Sequence, residues 1–248
     1  METTKTATQI FTRLPLEKIL NCREMGGYPI ETTQATQWHR FLRSSGLSDA
    51  TERDITFLLD YGLKTVIDLR TPYELKHQPN PFAQRTEVDY VNVNLSNMED
   101  TESSVSSMQD LDLEEEFIMG KMYVNMLESK ERIKEVFDVV LKQDEGVTLY
   151  HCSAGKDRTG VISLLLLGLA GVDKKDIVTN YEVSFTNIES MMNTKQMSKY
   201  PLNVMGSHPQ NIKMAYDHIM GEYSSFENYF QVLGYSDQEI ERLKNKLI

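Results

Sequence analysis

Cys152 and Arg158 stand six positions apart, with five residues between them, in the stretch "LYHCSAGKDRTGVISLLLL" (149–167), and the chemistry of such a pair depends on what carries it. An apolar, β-prone run ends at the cysteine and a leucine-rich run follows the arginine. The sequence therefore predicts a strand, a turn over Ser153 to Arg158, and a helix from Thr159 to Leu169. A turn that enters a helix N-terminus presents main-chain N–H groups and makes an anion site. Ala154 and Gly155 keep the turn small enough for a tetrahedral oxyanion to reach the backbone, and Arg158 adds a planar two-pronged donor. Ser153, Ala154, Gly155, Lys156, Asp157 and Arg158 are thus the expected phosphate-binding residues.

Cys152 shares that positive field, which favours thiolate over thiol. A thiolate beneath a bound phosphate is a nucleophile aimed at phosphorus, and displacement runs through a phosphocysteine. Thr159 can donate a hydroxyl hydrogen bond to it. The leaving oxygen needs a proton, for which Asp157 in the turn and Asp68 in "VIDLR" are the candidates. The cations on either side keep Asp157 ionised, which counts against it, while its place on the rim counts for it.

Other chemistries fit less well. A nucleotide-type phosphate loop requires Gly at position 150 and Ser or Thr at 157, where this chain has Tyr150 and Asp157. His151 and Cys152 are adjacent, a poor arrangement for zinc, and no second Cys or His pair has metal-site spacing. No metal or cofactor is expected. The other cysteine, Cys22, lies 130 residues away and reads as a buried, inert thiol rather than half of a disulfide framework.

These residues need a scaffold. Short runs rich in Val, Ile and Tyr at Thr65–Leu69, Val88–Leu95 and Val147–Tyr150 read as buried strands. Ser48 precedes a helical pattern through Ile55, Leu58 and Leu59 that stops at Gly62. Ile133, Val136, Phe137, Val140 and Leu141 form one helical stripe, closed by Gly146. Ser236 and Glu239 make a capping box ahead of Ile240, Leu243 and Leu247. The stretch "GGYPIETTQATQWHRFLRSS" reads as a hairpin. Strands alternating with helices point to an α/β fold, a central, largely parallel twisted sheet flanked by helices. The 248 residues, 40% of them hydrophobic, suit a single domain, 1–248.

Two stretches depart from this pattern. Ser96–Phe117 carries eight acids and no base, as a solvated insertion or a lid over the site does, and the lid-like region is taken to extend over about 96–128. Met191–Met205 interrupts the helix expected after Asp173 and is rich in methionine, suiting an adaptable pocket wall or plain core filling. A net charge of −11 argues against nucleic acid and against attraction to anionic membranes, and no run is long and apolar enough to span a bilayer. With no signal-like N-terminus the cytoplasm is the default location, although unconventional export leaves no mark of its own. The oligomeric state is left open.

The motif "HCSAGKDRTG" resembles the Cys-x5-Arg-Thr phosphate loop of the protein tyrosine phosphatase superfamily, and its interior resembles the atypical bacterial tyrosine and phosphoinositide phosphatases of the PtpB and LipA kind. The likeness extends to "NCREMGGY", "FLRSSGLS", "VIDLRTPYE" and the tail "FENYFQVLGYSDQEIERL", covering nearly the whole chain. It implies a cysteine-dependent phosphatase of phosphotyrosine, with phosphoserine, phosphothreonine or phosphoinositide as further substrates in a phosphorylated protein or lipid. Cys152 is then the nucleophile, Arg158 the phosphate clamp and Asp157 the general acid, with His151, Thr159 and Asp68 in support. Lys156 matches a position that the family associates with extra charge on the substrate. Departures are Asn180 before Tyr181, where Asp is usual, and Glu24 in the first motif, where Asp is commoner. The competing functions are a catalytically weak phosphate-ester-binding module and a sulfur-transfer or arsenate-reducing enzyme, the last with Cys22 as resolving thiol.

Overall fold

The computed structural model describes residues 11–30, 33–96, 115–192 and 201–248. Its centre is a five-stranded sheet in the order β1 (Arg23–Glu24), β2 (Phe41–Ser44), β5 (Val147–His151), β3 (Leu63–Asp68), β4 (Asp89–Asn92). Only the β1–β2 pairing is antiparallel. The expected hairpin is met in part: Pro29 and Ala35 form an antiparallel bridge within it, but β2 at its end pairs with β1, which precedes the stretch. The parallel core places β5 between β2 and β3, with His151 opposite both Ser44 and Asp68. The C-terminal ends of three strands therefore meet at one point, directly before Cys152, and ligands of open α/β sheets bind in such crevices.

Alternation along the strands divides the core in two. Leu42, Val66 and Leu149 face one side, where α1 (Glu52–Asp60) contributes Ile55 and Leu58. Phe41, Ile67 and Tyr150 face the other, against α5 (Asp157–Leu169). That helix is apolar on every side and almost wholly buried, as expected of one enclosed by others. Around it pack α3 (Ile118–Glu128), α4 (Lys130–Lys142), α6 (Lys174–Glu182), α9 (Pro209–Tyr223), α10 (Phe226–Val232) and α11 (Asp237–Lys244), the last with the expected Ser236–Glu239 capping box. The 3₁₀ turn Pro81–Gln84 precedes β4, α2 (Pro72–His77) follows β3, and α7 (Ser184–Met192) and α8 (Leu202–Met205) lie between α6 and α9.

Several boundaries shift from expectation for local reasons. The cap of α1 is Thr51, whose hydroxyl accepts from Asp54 N–H in a full capping box; Ser48 instead donates to the Gln78 carbonyl. Helix α5 begins at Asp157, so Asp157 and Arg158 occupy its first turn. The strand expected over Val88–Leu95 pairs only through Asp89–Asn92, at the sheet edge. Of the suggested lid, residues 97–114 lie outside the described residues, whereas Ile118–Glu128 forms α3 and buries Met119, Tyr123 and Leu127 in the core. The methionine-rich stretch is likewise described only in part; residues 193–200 lie outside, and Val204 and Met205 are buried.

Candidate active site

The loop after Cys152 turns at Gly155, which adopts a left-handed φ of 68°. A Cβ at Gly155 would collide with the main chain of Ser44 and Ser45, so this close approach admits glycine alone. The loop carbonyls all find partners in the surrounding protein. His151 Nδ1 lies 3.0 Å from the Cys152 carbonyl, Gly46 N–H donates to Ser153 O at 2.8 Å, and Asn21 Nδ2 donates to Ala154 O at 3.1 Å and Gly155 O at 2.9 Å. Arg43 Nη2 adds a second donor to Gly155 O at 2.8 Å. In a trans peptide the C=O and the following N–H point in opposite directions. Carbonyls tied outward at 152–155 therefore turn the N–H groups of 153–156 inward. None of the N–H groups from Ser153 to Thr159 has an acceptor among the described residues. The arrangement is a nest of donors at the start of a helix, which favours a tetrahedral anion.

Cys152 is buried at the foot of this nest. Thr159, in the first turn of α5, is buried too, and its hydroxyl has no partner among the described residues. Arg158 is held in a fork: Nη1 donates to Glu74 Oε2 at 2.7 Å and Nη2 to Glu74 Oε1 at 2.8 Å. The Ser153 hydroxyl donates to the same carboxylate, and the Thr71 N–H donates to Glu74 Oε2 at 2.9 Å within the capping box of α2. Burial would raise the Glu74 carboxyl, but the Arg158 fork outweighs it and, with Ser153 and Thr71, brings it down to about 2. Sequence reasoning did not single out Glu74; its only local mark is the Thr-Pro-x-Glu cap in "VIDLRTPYE".

Asp68 is fully buried and surrounded by donors. Arg70 reaches it through Nε at 2.9 Å and Nη2 at 2.7 Å, Asn80 Nδ2 lies at 3.0 Å and the Tyr90 hydroxyl at 3.1 Å. His151 Nε2 stands 3.2 Å away. Burial opposes ionisation, but His151 and Arg70 prevail and hold the Asp68 carboxyl well below the usual carboxylate range. A carboxylate so placed braces the ends of β3 and β5 and has no exposed face for a leaving group.

Asp157 differs. It is partly exposed, accepts a hydrogen bond from the Tyr123 hydroxyl of α3, and lies 3.5 Å from Lys156 Nζ. Tyr123 OH is also 2.7 Å from Tyr181 OH, and burial followed by the Asp157 charge pushes the Tyr123 phenol well up. Lys156 packs against α8. Its ammonium is buried and donates to the carbonyls of Val204 at 2.5 Å, Met205 at 3.2 Å and Gly206 at 3.0 Å, clasping the end of α8. An ammonium has three donors, and here all three are taken by the protein. Its main-chain N–H stays in the nest, while its ammonium is engaged by the carbonyls at the end of α8. Cys22 is buried against the opposite face of the sheet, where burial pushes its thiol up, and its packing neighbours do not include Cys152.

With this geometry stand the comparisons. The model of the tyrosine phosphatase family matches residues 14–248, and the chain belongs to that family. A tyrosine-protein phosphatase of Nostoc commune is 33% identical over 223 residues, covering 84% of this chain and 74% of that protein. A Cupriavidus necator protein provisionally named a tyrosine-protein phosphatase is 29% identical over 170 residues, 68% of this chain and 61% of that one. The crystal structure of TpbA from P. aeruginosa aligns with a TM-score of 0.36 and 14% identity over 79% of this chain and 91% of that chain.

The Glu74 fork has a pH signature. A carboxyl at about 2 in the fold, against 4.5 unperturbed, gives stability that is complete above pH 4.5 and lost as the pH falls toward 2. The shift corresponds to about 3 kcal/mol. Urea unfolding at stepped pH should show the wild type losing that amount across the window and Glu74→Gln losing little of it; parallel profiles would remove Glu74 from the acid response.

Proposed function

We propose that this chain hydrolyses phosphotyrosine monoesters through a phosphocysteine at Cys152. The observation that carries the reading is the nest of N–H groups from Ser153 to Thr159 that have no acceptor among the described residues, seated over a buried cysteine. A phosphate dianion in the nest gains main-chain hydrogen bonds and the charge of the Arg158 guanidinium, which its two contacts to Glu74 hold in place while further N–H donors are left for the anion. The Cys152 thiolate attacks phosphorus in line with the ester oxygen. The P–O bond to the leaving phenol breaks as the S–P bond forms, and Asp157 hands its proton to the departing oxygen. Water then attacks the phosphocysteine with Asp157 as the base, releasing phosphate and restoring the thiolate. Thr159 serves the thiolate through its otherwise unpartnered hydroxyl.

Asp68 is assigned to the frame rather than the proton transfer, because its oxygens are already occupied by Arg70, Asn80, Tyr90 and His151. The engagement of Lys156 with α8 favours a substrate with a single phosphate over a polyphosphorylated inositol headgroup, since the one ammonium of the loop is already committed to main-chain carbonyls.

Cys152→Ser should abolish turnover while phosphotyrosine peptide still binds, read by stopped-assay phosphate release and by calorimetry. Measurable turnover in that variant would sink the covalent route. Asp157→Asn should slow an alkyl phosphate about 10²–10⁴-fold and an activated aryl phosphate far less, because a good leaving group needs little protonation. Equal losses on both esters would point to another acid. Across substrates, kcat/KM should be highest for phosphotyrosine peptides; faster turnover of soluble polyphosphoinositides would overturn the single-phosphate assignment.

A further inference from the structure

Beneath the loop, on the side away from the nest, lie two arginines with no carboxylate among their described partners. Arg43 of β2 is fully buried and donates to Gly155 O at 2.8 Å and Asn180 Oδ1 at 2.5 Å. Arg23 of β1 donates to Asn180 O at 2.6 Å, Ser184 Oγ at 3.0 Å and Asn21 O at 3.1 Å, and also to the Asn21 side chain. Neither Nε has an acceptor among the described residues. The titratable groups facing Arg43 are Tyr28, Tyr150 of β5, Tyr181 of α6, Cys152 and the like charge of Arg23. Burial and then Arg43 push the Arg23 guanidinium down from its usual range, although arginine stays protonated in proteins. Interior charges are normally paired, since an unmatched one is costly. The side chain that meets Arg43, Asn180, is the neutral isostere of an aspartate.

We propose that Arg43, left unneutralised by Asn180, is a positioning residue that supplies the standing counter-charge to the Cys152 thiolate from beneath the loop. The proposal rests on reading Cys152 as the nucleophile. Arg158 also faces Cys152, but the Glu74 fork already balances its charge. Arg43 has no such partner among the described residues, and it touches the loop at Gly155, three residues past the thiol. The arrangement exchanges fold stability for thiolate character: a carboxylate at position 180 would relieve the buried charge and withdraw it from the cysteine. An aspartate fits the same contacts, one oxygen accepting from Arg43 and the other from the Tyr28 hydroxyl that now lies 2.7 Å from Asn180 Nδ2.

The test is the pH dependence of iodoacetamide alkylation on the full chain, with the adduct assigned to Cys152 by peptide mass, alongside thermal melting. Asn180→Asp should melt higher than wild type yet shift the alkylation midpoint upward by about one pH unit. Arg43→Met should move the midpoint the same way. Arg43→Lys, which keeps the charge and loses the fork, should keep the midpoint near wild type while melting lower. An unchanged midpoint in Asn180→Asp, a lower melting temperature or failure to fold in that variant, or equal shifts in Arg43→Lys and Arg43→Met would each overturn the proposal. Alkylation requires no turnover, so an enzyme that proved inactive on phosphotyrosine would refute the functional reading and leave this titration to be judged separately.

Discussion

The approach of Gly155 to the end of β2 is the constraint on which the site depends. With φ at 68° and the Ser44–Ser45 main chain directly beneath it, the loop lies against the sheet as only glycine allows. Once there, its carbonyls are within reach of Gly46, Asn21 and Arg43, and fixing the carbonyls outward fixes the N–H groups inward. The anion site is therefore a consequence of where the backs of the peptides are held. Unmade donors in a fold are costly unless water or a ligand satisfies them, so such a nest is retained in exchange for what it binds.

The supports around the loop come from separate parts of the chain. Glu74, fixed by its own helix cap, orients Arg158 and ties α2 to the first turn of α5. Asp68 gathers Arg70, Asn80, Tyr90 and His151 into one buried cluster at the strand ends, so β3 and β5 finish at a common level. Removing one member of such a cluster leaves the others unpaired in the interior, which costs more than the pair contributes. Lys156 does similar work at the opposite rim by clasping the end of α8.

The local parts of this design were legible in the sequence. The strand, turn and helix around Cys152, the Ser236 capping box and the stripe of α4 all rest on spacings of a few residues. What escaped depends on distant partners: Glu74 meets Arg158 across 84 positions, Tyr123 meets Asp157 across 34, and Asn21 reaches Gly155 across 134. No periodicity encodes such meetings. Lys156 shows the same limit in another form, because the motif places its Cα in the loop while α8, 48 or more residues on, decides where its ammonium goes. The start of α1 was misplaced for a subtler reason: Ser48 and Thr51 both suit a cap, and the choice falls to Thr51 because Asp54 completes the reciprocal box. Family likeness implied roles for Cys152, Arg158, Asp157 and Lys156, but it carried no sign of the three carbonyls that engage the Lys156 ammonium.

The two halves of the proposed chemistry lean on different mechanical supports. Cys152 and the nest are braced by the sheet, through β2, β3 and β5, whereas Asp157 leans on helices, through Tyr123 of α3 and, behind it, Tyr181 of α6. Tyr123 is buried in the same core as Ile212 and Ala215 of α9, and Gly120 of α3 donates its N–H to Asn211 Oδ1 at 3.1 Å. A change in how α3 seats against α9 would therefore reach the acid through the Tyr123 hydroxyl while the phosphate cradle stayed braced from below. Phosphate binding and leaving-group protonation are in this sense separable in the fold, since positional errors of about 1 Å are enough to impair one catalytic group without touching its neighbour.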